Sequence, residues 1–328
     1  MSDTTAQSGF SELTPDVLLE AVEGALAVRL TALAHPLTSY INRVYEVAAG
    51  DGTRYIAKFY RPGRWTAAAI EQEHAFVVEC AAEEIPVVSP LRLSHGGTRG
   101  EAGGISFAVY PKRAGRPFEP IDDEDWRRLG RVTARVHVVG GRRPAADRVR
   151  LWPQHSTAAD IRHLLDGGFV TARHRRTFAD LGRAILDVII PVFEGCEAIR
   201  IHGDCHPGNL LERPGEGLMV IDFDDMAMGP PVQDLWMLLP ERLPDAARQM
   251  RLILEGYEDF REFDDRTLRL IEPLRIMRIL YFLAWCSRQT GDPVFSRNFP
   301  DWGNDAFWGR QIADLTEQLD VIRRGRPA

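Results

Sequence analysis

In the first third of the chain, short apolar runs rich in β-branched and aromatic residues are separated by glycine- and proline-containing segments, and this pattern predicts short β-strands. The runs VYEVAA (44–49) and RYIAKFY (54–60) flank the glycine turn GDG, which is the usual signal for a β-hairpin. A third β-rich run, ISFAVYP, covers residues 105–111. Between them, TAAAIEQEHAFVVECAAEE spaces its apolar residues at helical intervals and ends before Pro86. This part of the chain is therefore predicted to form a small antiparallel sheet with a helix.

After residue 111 the apolar spacing becomes helical. The segment DDEDWRRLGRVTARVHVVGG begins with acidic residues, repeats apolar residues at helical spacing and stops at a glycine pair. Further helices are predicted over LGRAILDVIIPVF, VQDLWMLLPE, residues 244–256 and IEPLRIMRILYFLAWCSR. The pattern predicts an α+β protein with a flexible polar tail at 1–15, a β-rich lobe at 16–111 and a helical lobe at 112–328.

Bulk composition narrows the class of protein. The chain has 328 residues, 45% of them hydrophobic and 27% charged, which is enough for a substantial core in two lobes. A formal net charge of −7 argues against a nucleic-acid partner, which would favour a basic surface. The four cysteines lie far apart without a CxxC pair, as expected in a reducing cytoplasm. A monomer is expected.

Membrane and secretion signals are weak in this sequence. The N-terminus has neither the basic nor the apolar segment of a signal peptide. The most apolar run, ILYFLAWC (279–286), is far shorter than the roughly 20 residues that cross a bilayer. We therefore expect a buried helix there, no membrane partner and a cytoplasmic location.

The densest group of polar, potentially reactive residues lies in IHGDCHPGNLL, residues 201–211. Three interpretations compete for it. His202, Asp204 and His206 share the spacing of zinc ligands on a strand, but the glycines and proline of this segment break a regular strand. A purely structural turn is the second interpretation, since such loops are rich in Gly, Pro, Asn and Asp.

The third interpretation rests on the residues that follow. After Asn209 come an apolar pair, the turn ERPGEG and the apolar run LMVI, which ends at Asp222. If this second hairpin closes symmetrically about residues 214–217, Asn209 and Asp222 face each other, with Cβ atoms about 5 Å apart. An amide and a carboxylate oxygen suit Mg²⁺, which takes one or two carboxylates together with phosphate oxygens. Asp204 would then be the base that accepts the proton of an attacking hydroxyl, and Asp222 a second catalytic residue.

These motifs resemble a known family. HGDCHPGN followed by IDFDD is similar to the catalytic loop and metal-binding segment of the protein-kinase-like fold, in its aminoglycoside phosphotransferase and choline kinase branch. The segments LTSYINRVYEV, AKFYRPGRWT, GPPVQDLWMLL and IEPLRIMRILYFLAW further resemble the bacterial stress response kinases. The resemblance covers most of the chain and implies a bilobal kinase fold. It also implies ATP-dependent transfer to the serine or threonine hydroxyl of a protein, which can include the chain itself.

The resemblance also implies roles for residues of the first lobe. Lys58, in RYIAKFY, would reach the α- and β-phosphates of ATP, and Glu73 would hold it, with Glu71 as the alternative. No GxGxxG stands between the first two strands, so Ser39 in the loop 35–45 would approach the phosphates instead.

Residues around the adenine and the catalytic loop follow from the same resemblance. Adenine would bond to the backbone of FAVYP and pack against side chains that also have an ordinary core interpretation, namely Ile56, Phe107, Val109 and Tyr110. His202 would hold the catalytic loop by hydrogen bonding, and Asp234 would brace the loop and start the next helix.

Two other functions remain open at this level. An enzyme that phosphorylates a small molecule, such as an aminoglycoside, choline or a sugar amine, would use the same motif, because a hydroxyl attacks in both reactions. A pseudokinase that only binds nucleotide is the other alternative. The complete set of Lys58, Asp204, Asn209 and Asp222 gives no reason to prefer it.

Overall fold

A computed structural model describes residues 9–325 of the chain, except 11, 40, 214 and 216. Within this range the strands are β1 Leu30–Leu37, β2 Arg43–Ala49, β3 Arg54–Phe59, β4 Gly100–Ala102, β5 Ile105–Pro111, β6 Arg116–Pro117, β7 Ile199–Ile201, β8 Leu210–Arg213, β9 Gly217–Val220 and β10 Ala227–Gly229. The α-helices are α1 Pro15–Leu26, α2 Ala67–Ala82, α3 Asp123–Gly140, α4 Ala158–Asp166, α5 Arg175–Ile189, α6 Val232–Trp236, α7 Ala247–Tyr257, α8 Ile271–Ser287, α9 Pro293–Asn298 and α10 Asp305–Arg324. Short 3-10 turns join several of them.

The first lobe is an antiparallel sheet in the order β1-β2-β3-β5-β4. The predicted hairpin is confirmed as β2 and β3, and the third predicted strand is β5. Side chains alternate between the two faces of each strand, so the sheet can pack on both sides. On one face Phe59, Phe107 and Val109 pack with residues of α1, while Ala108 on the other face packs with Ile70 of α2.

Helix α1 and strand β1 add to the elements that the apolar pattern predicted. The start of α1 has a clear local cause: Thr14 caps the helix by accepting from the backbone N–H of Val17 at 3.3 Å, and Pro15 follows. Residues 1–8 and 11 of the predicted tail lie outside the described part of the chain. Phe10 and Leu13 pack against the apolar cluster beneath α1, so the segment just before the helix contributes to the core of the lobe.

The second lobe is predominantly helical, as predicted, and α3 is its centre. Helices α3 and α7 pack closely because each places a glycine at the contact: a Cβ on Gly130 would lie 1.9 Å from the carbonyl oxygen of Ile253, and one on Gly256 would lie 2.1 Å from that of Arg127. The apolar run predicted as a buried helix lies within α8. In the described part of the chain, no helix combines the length and apolarity needed to cross a membrane.

The second hairpin forms, but its register differs from the predicted one. Leu210 pairs with Val220, and the N–H of Ile221 donates to the carbonyl of Asn209 at 3.0 Å, so Asn209 faces Ile221 rather than Asp222. Arg213 pairs with Gly217, so three residues separate the two strands instead of the four assumed. A shift of one residue reverses the face of a side chain in a regular strand. Asp222 leaves the strand in the left-handed conformation, with φ 62° and ψ 67°, and reaches the cleft between the lobes.

Candidate active site

A cavity of about 570 Å³ lies between the sheet of the first lobe and the helical lobe. Seven of the residues predicted from the sequence line it together, namely Ser39, Ile56, Lys58, Glu73, Tyr110, Asp204 and Asp222. Apolar side chains of both lobes, among them Ile56 and Ile221, form much of its wall. An apolar cleft with a few convergent charged groups is the usual form of a small-molecule site.

The loop that carries Asp204 is held from below by a buried carboxylate. Asp234, on α6, accepts hydrogen bonds from the backbone N–H groups of His202 at 2.7 Å and Gly203 at 2.8 Å. Its Oδ2 also lies 2.9 Å from Nε2 of His137 on α3. His202 in turn bonds through Nε2 to the carbonyl of Ile221 at 2.9 Å. Asp234 thus braces the loop, but it lies inside α6, and the cap position of that helix is Pro231 rather than Asp234.

Gly203 is required by the path of this loop. Its φ is +84°, and a Cβ there would lie 2.1 Å from the carbonyl oxygen of Asp225. This close approach brings the Asp204 loop against the segment that contains Asp222. A side chain at position 203 would therefore separate the two halves of the motif.

We expect Gly203→Ala to lower the free energy of unfolding by more than the roughly 1–2 kcal/mol that the left-handed backbone alone costs, because the backbone must also move. Thermal or urea unfolding measures this change. Gly303→Ala is a matched control, since Gly303 has a φ of +83° and no atom within 4 Å of the added Cβ. Equal losses in the two variants would contradict the close-approach explanation.

Asp204 points into the cavity, and each of its carboxylate oxygens lies near a nitrogen-bearing side chain. Oδ1 accepts from Nη2 of Arg278 at 2.6 Å, and Oδ2 lies 3.5 Å from Nε2 of His206. Burial opposes ionisation, but the hydrogen bond to His206 and the charge of Arg278 hold the pKa of Asp204 well below its usual range. Asp204 is thus an ionised acceptor at the edge of the cavity.

Lys58 reaches the opposite side of the same site. Its Nζ lies 2.8 Å from Oδ1 of Asp222 and 3.3 Å from Oδ1 of Asp224. Burial acts to lower the pKa of Lys58, but these two carboxylates raise it well above its ordinary value. The buried ammonium therefore stays charged and links β3 to the segment after β9.

Glu73 is buried in the cavity wall, but its carboxylate is not within ion-pair distance of Lys58 among the described side chains. Its Oε1 accepts from the hydroxyl of Tyr60 at 3.5 Å, and its Oε2 lies 3.9 Å from Nη1 of Arg148. Burial raises the pKa of Glu73 to about 7. The alternative, Glu71, is exposed and pairs with Arg99 at 3.1 Å.

An ion-pair network beside Asp222 was not predicted. Asp224 is 5% exposed and is contacted by Nη1 of Arg64 and, at 3.3 Å, by Nδ2 of Asn42. Arg64 also reaches Asp225 at 2.7 Å, and the hydroxyl of Tyr281 donates to Asp225 at 2.9 Å. The run of acids in IDFDD and the arginine in RPGRWT are the signals that could have indicated it. The network joins both lobes at the cavity.

The expectation that Phe107 and Val109 pack against adenine is not met in this structure. Both side chains are almost completely buried in the core beneath α1, and Phe107 stacks on Phe59 with ring centroids 5.1 Å apart. They do not line the cavity. Since successive side chains of a strand point to opposite faces, Tyr110 faces the cavity from the same strand, together with Ile56 of β3.

Asp222 and Asn209 offer oxygen atoms of the kind that Mg²⁺ prefers as ligands. The side chain of Asp222 is 52% exposed at the cavity. Nδ2 of Asn209 donates to the carbonyl of Asp204 at 2.9 Å, which leaves its amide oxygen as an acceptor. Across residues 9–325, apart from the four undescribed positions, no group of three or more His, Cys, Asp or Glu forms a metal cage. The Asp222 carboxylate and the Asn209 amide are oxygen ligands of the kind that Mg²⁺ takes together with phosphate and water, although Asp222 lines the cavity and Asn209 does not.

The two-lobed fold and this site define a protein-kinase-like phosphotransferase. Comparison with known families agrees: the model of the phosphotransferase enzyme family matches residues 34–271. Stress response kinase A of Escherichia coli K12 is 36% identical over 315 residues, which are 96% of this chain and 95% of that protein. The serine/threonine protein kinase RdoA of Salmonella typhimurium is 34% identical over 314 residues, 95% of this chain and 94% of that protein.

A solved structure shows the same fold. Amicoumacin kinase hAmiN, in complex with AMP-PNP, Ca²⁺ and Ami, superposes with a TM-score of 0.69 at 18% identity and covers 95% of this chain and 94% of its own. The chain belongs to the phosphotransferase enzyme family and is a kinase related to the stress response kinases.

Proposed function

We propose that this chain is an ATP- and magnesium-dependent serine/threonine protein kinase in which Asp204 is the base. The observation that carries the proposal is the convergence of Lys58, Asp204 and Asp222 on one cavity between the lobes. A cation for nucleotide phosphates, a carboxylate for the metal and a carboxylate for the acceptor hydroxyl are the parts that phosphoryl transfer needs.

Different residues of the cavity would bind the nucleotide, hold the metal ion and activate the acceptor hydroxyl. Lys58, and Ser39 with its loop, would bind the phosphates, while Ile56 and Tyr110 would pack against the adenine. Asn209 and Asp222 would hold Mg²⁺, which when bound neutralises charge on the transferred phosphoryl group. Asp204 would orient the acceptor hydroxyl and accept its proton. Glu73 would support Lys58 through its charge, without a direct ion pair in this structure.

The acceptor side is formed by α8, which places Arg278, Tyr281, Phe282 and Trp285 at the cavity. The rings of Phe282 and Trp285 stack with centroids 5.5 Å apart, and Phe282 is 47% exposed. Such a surface can take either a peptide or a small molecule. A protein acceptor is favoured because the Salmonella relative, which is 34% identical, is a serine/threonine protein kinase.

Transfer of a labelled γ-phosphate tests the proposal. The acceptors compared are a generic Ser/Thr protein, the chain itself and a panel of small-molecule alcohols that includes aminoglycosides. We expect magnesium-dependent label on serine or threonine. Transfer to small molecules alone would overturn the protein-kinase assignment, and nucleotide binding without any transfer would support the pseudokinase alternative.

Replacement of Asp222 tests the metal site separately. We expect Asp222→Ala to weaken Mg-ATP binding by about 10- to 100-fold, the range that follows from losing one charged contact of about 1.5–3 kcal/mol. Titration calorimetry with and without EDTA measures it. Binding of metal-free ATP should not weaken, because the substitution releases Lys58 from its contact with Asp222. Equal weakening under both conditions would contradict a metal role.

A further inference from the structure

The cleft contains a further cation, Arg278, which neither binds phosphate nor accepts a proton in the proposed reaction. Arg278, on α8, donates from Nη2 to Oδ1 of Asp204 at 2.6 Å, across 74 residues of sequence. Its side chain is 37% exposed and lines the cavity, whereas its helix neighbours Met277 and Leu280 are buried in the core. The packing of α8 therefore does not depend on the guanidinium.

The main chain around Asp204 is held by more hydrogen bonds than its carboxylate is. The backbone N–H groups of His202 and Gly203 are fixed by Asp234, and Nδ2 of Asn209 bonds to the carbonyl of Asp204. Within the loop, the carboxylate of Asp204 has only the longer contact to Nε2 of His206, at 3.5 Å. The direction of the carboxylate is thus set mainly from outside the loop, by α8.

We propose that Arg278 is a positioning residue for phosphoryl transfer, which holds the carboxylate of Asp204 in the orientation that meets the acceptor hydroxyl. This inference rests on the proposed function of the site. A guanidinium suits the task because its planar, fixed donors restrict the direction of a carboxylate more than an ammonium does. Small errors in position are costly here, since a displacement of about 1 Å can lower a rate by about 100-fold.

The chain offers a matched control on the same helix. Arg288, which follows the last turn of α8, donates from Nη2 to Oδ1 of Asp160 at 3.2 Å. Its side chain is 47% exposed and that of Asp160 is 10% exposed, so this pair resembles Arg278 and Asp204 in burial. Neither Arg288 nor Asp160 lines the cavity. Loss of the second pair should therefore affect folding stability but not transfer.

The experiment compares Arg278→Gln, Arg278→Lys, Arg278→Ala and Arg288→Gln in the full chain. Phosphate transfer gives kcat, titration gives the affinity for Mg-ATP, and thermal unfolding gives stability. We expect Arg278→Gln to lower kcat by about 10- to 100-fold, in line with a positional error of up to about 1 Å, with unchanged Mg-ATP affinity. Arg278→Lys should retain an intermediate kcat, and added guanidinium, below denaturing concentration, should restore part of the activity of Arg278→Ala.

Several results would overturn this inference. Wild-type kcat in Arg278→Gln would do so, as would an equal loss of kcat in Arg288→Gln. A loss in Arg278→Ala that guanidinium leaves unchanged and that parallels a fall in thermal stability would show a merely structural role. Failure of the proposed function looks different, because wild-type protein would then transfer no phosphate or Asp204→Ala would remain active.

Discussion

Replacing Asp204 with alanine or asparagine should lower kcat for phosphate transfer by about 10²- to 10⁴-fold, the usual contribution of a positioned base. The reason is geometric: Asp204 is the loop carboxylate at the cavity opposite Lys58, and it is kept ionised by His206 and Arg278. The affinity for Mg-ATP should stay close to the wild-type value, because Lys58, Asn209 and Asp222 remain in place. Single-turnover transfer and nucleotide titration measure the two effects.

The control for this prediction is Asp160→Asn. Asp160 is a buried aspartate that, like Asp204, is paired with an arginine of the α8 region, but it lies away from the cavity. Its replacement should leave kcat near the wild-type value. Full transfer activity in Asp204→Ala would exclude the proposed mechanism. A large loss of Mg-ATP affinity in that variant would instead assign Asp204 to nucleotide binding.

Asp234→Ala should have the largest effect on stability. Asp234 is fully buried and accepts from two backbone N–H groups and from His137. Truncation leaves these buried donors without an acceptor, and we expect the free energy of unfolding to fall by about 3 kcal/mol or more. Transfer activity should fall as well, because the freed N–H groups belong to the residues directly before Asp204. Urea unfolding and transfer assays below the unfolding midpoint measure both.

Two variants sharpen this second prediction. Asp234→Asn keeps the size of the side chain but turns one oxygen into an NH₂ group, which cannot accept from an N–H group. It should therefore lose less stability than Asp234→Ala while still disturbing the loop. Asp245→Ala removes an exposed aspartate and should change stability by less than about 0.5 kcal/mol. Wild-type stability in Asp234→Ala would show that the loop does not depend on this brace.

The sequence predicted much of the fold because its signals are local. The β-rich composition of β2, β3 and β5 and the helical spacing in α3 and α8 depend on neighbouring residues, and each element formed as expected. The prediction for the second hairpin was wrong in register by one residue. The predicted register required four residues between the strands, whereas Arg213 and Gly217 pair with three between them. Asp222 reaches the cavity through a left-handed backbone conformation that no spacing rule indicates.

The predicted adenine contacts show that residue type alone does not determine which side chains line the cavity. Phe107 and Val109 have the residue types expected of a nucleotide pocket, and periodicity places them on one face of β5. The face of the sheet that lines the cleft depends on where α1 and α2 pack. Helix α1 covers the face that carries Phe107 and Val109. Tyr110 and Ile56 consequently meet the cavity instead.

By itself, the sequence determined which residues carry the chemistry proposed for this kinase: the run from His202 to Asn209 and the aspartate after the second hairpin lie close together along the chain, so their spacing identifies them. Only the tertiary structure decided what surrounds them. Arg278 meets Asp204 across 74 residues, and Arg64 meets Asp224 across 160. Such ion pairs form when separate helices and strands pack, and the sequence shows the charged residues without showing which of them pair.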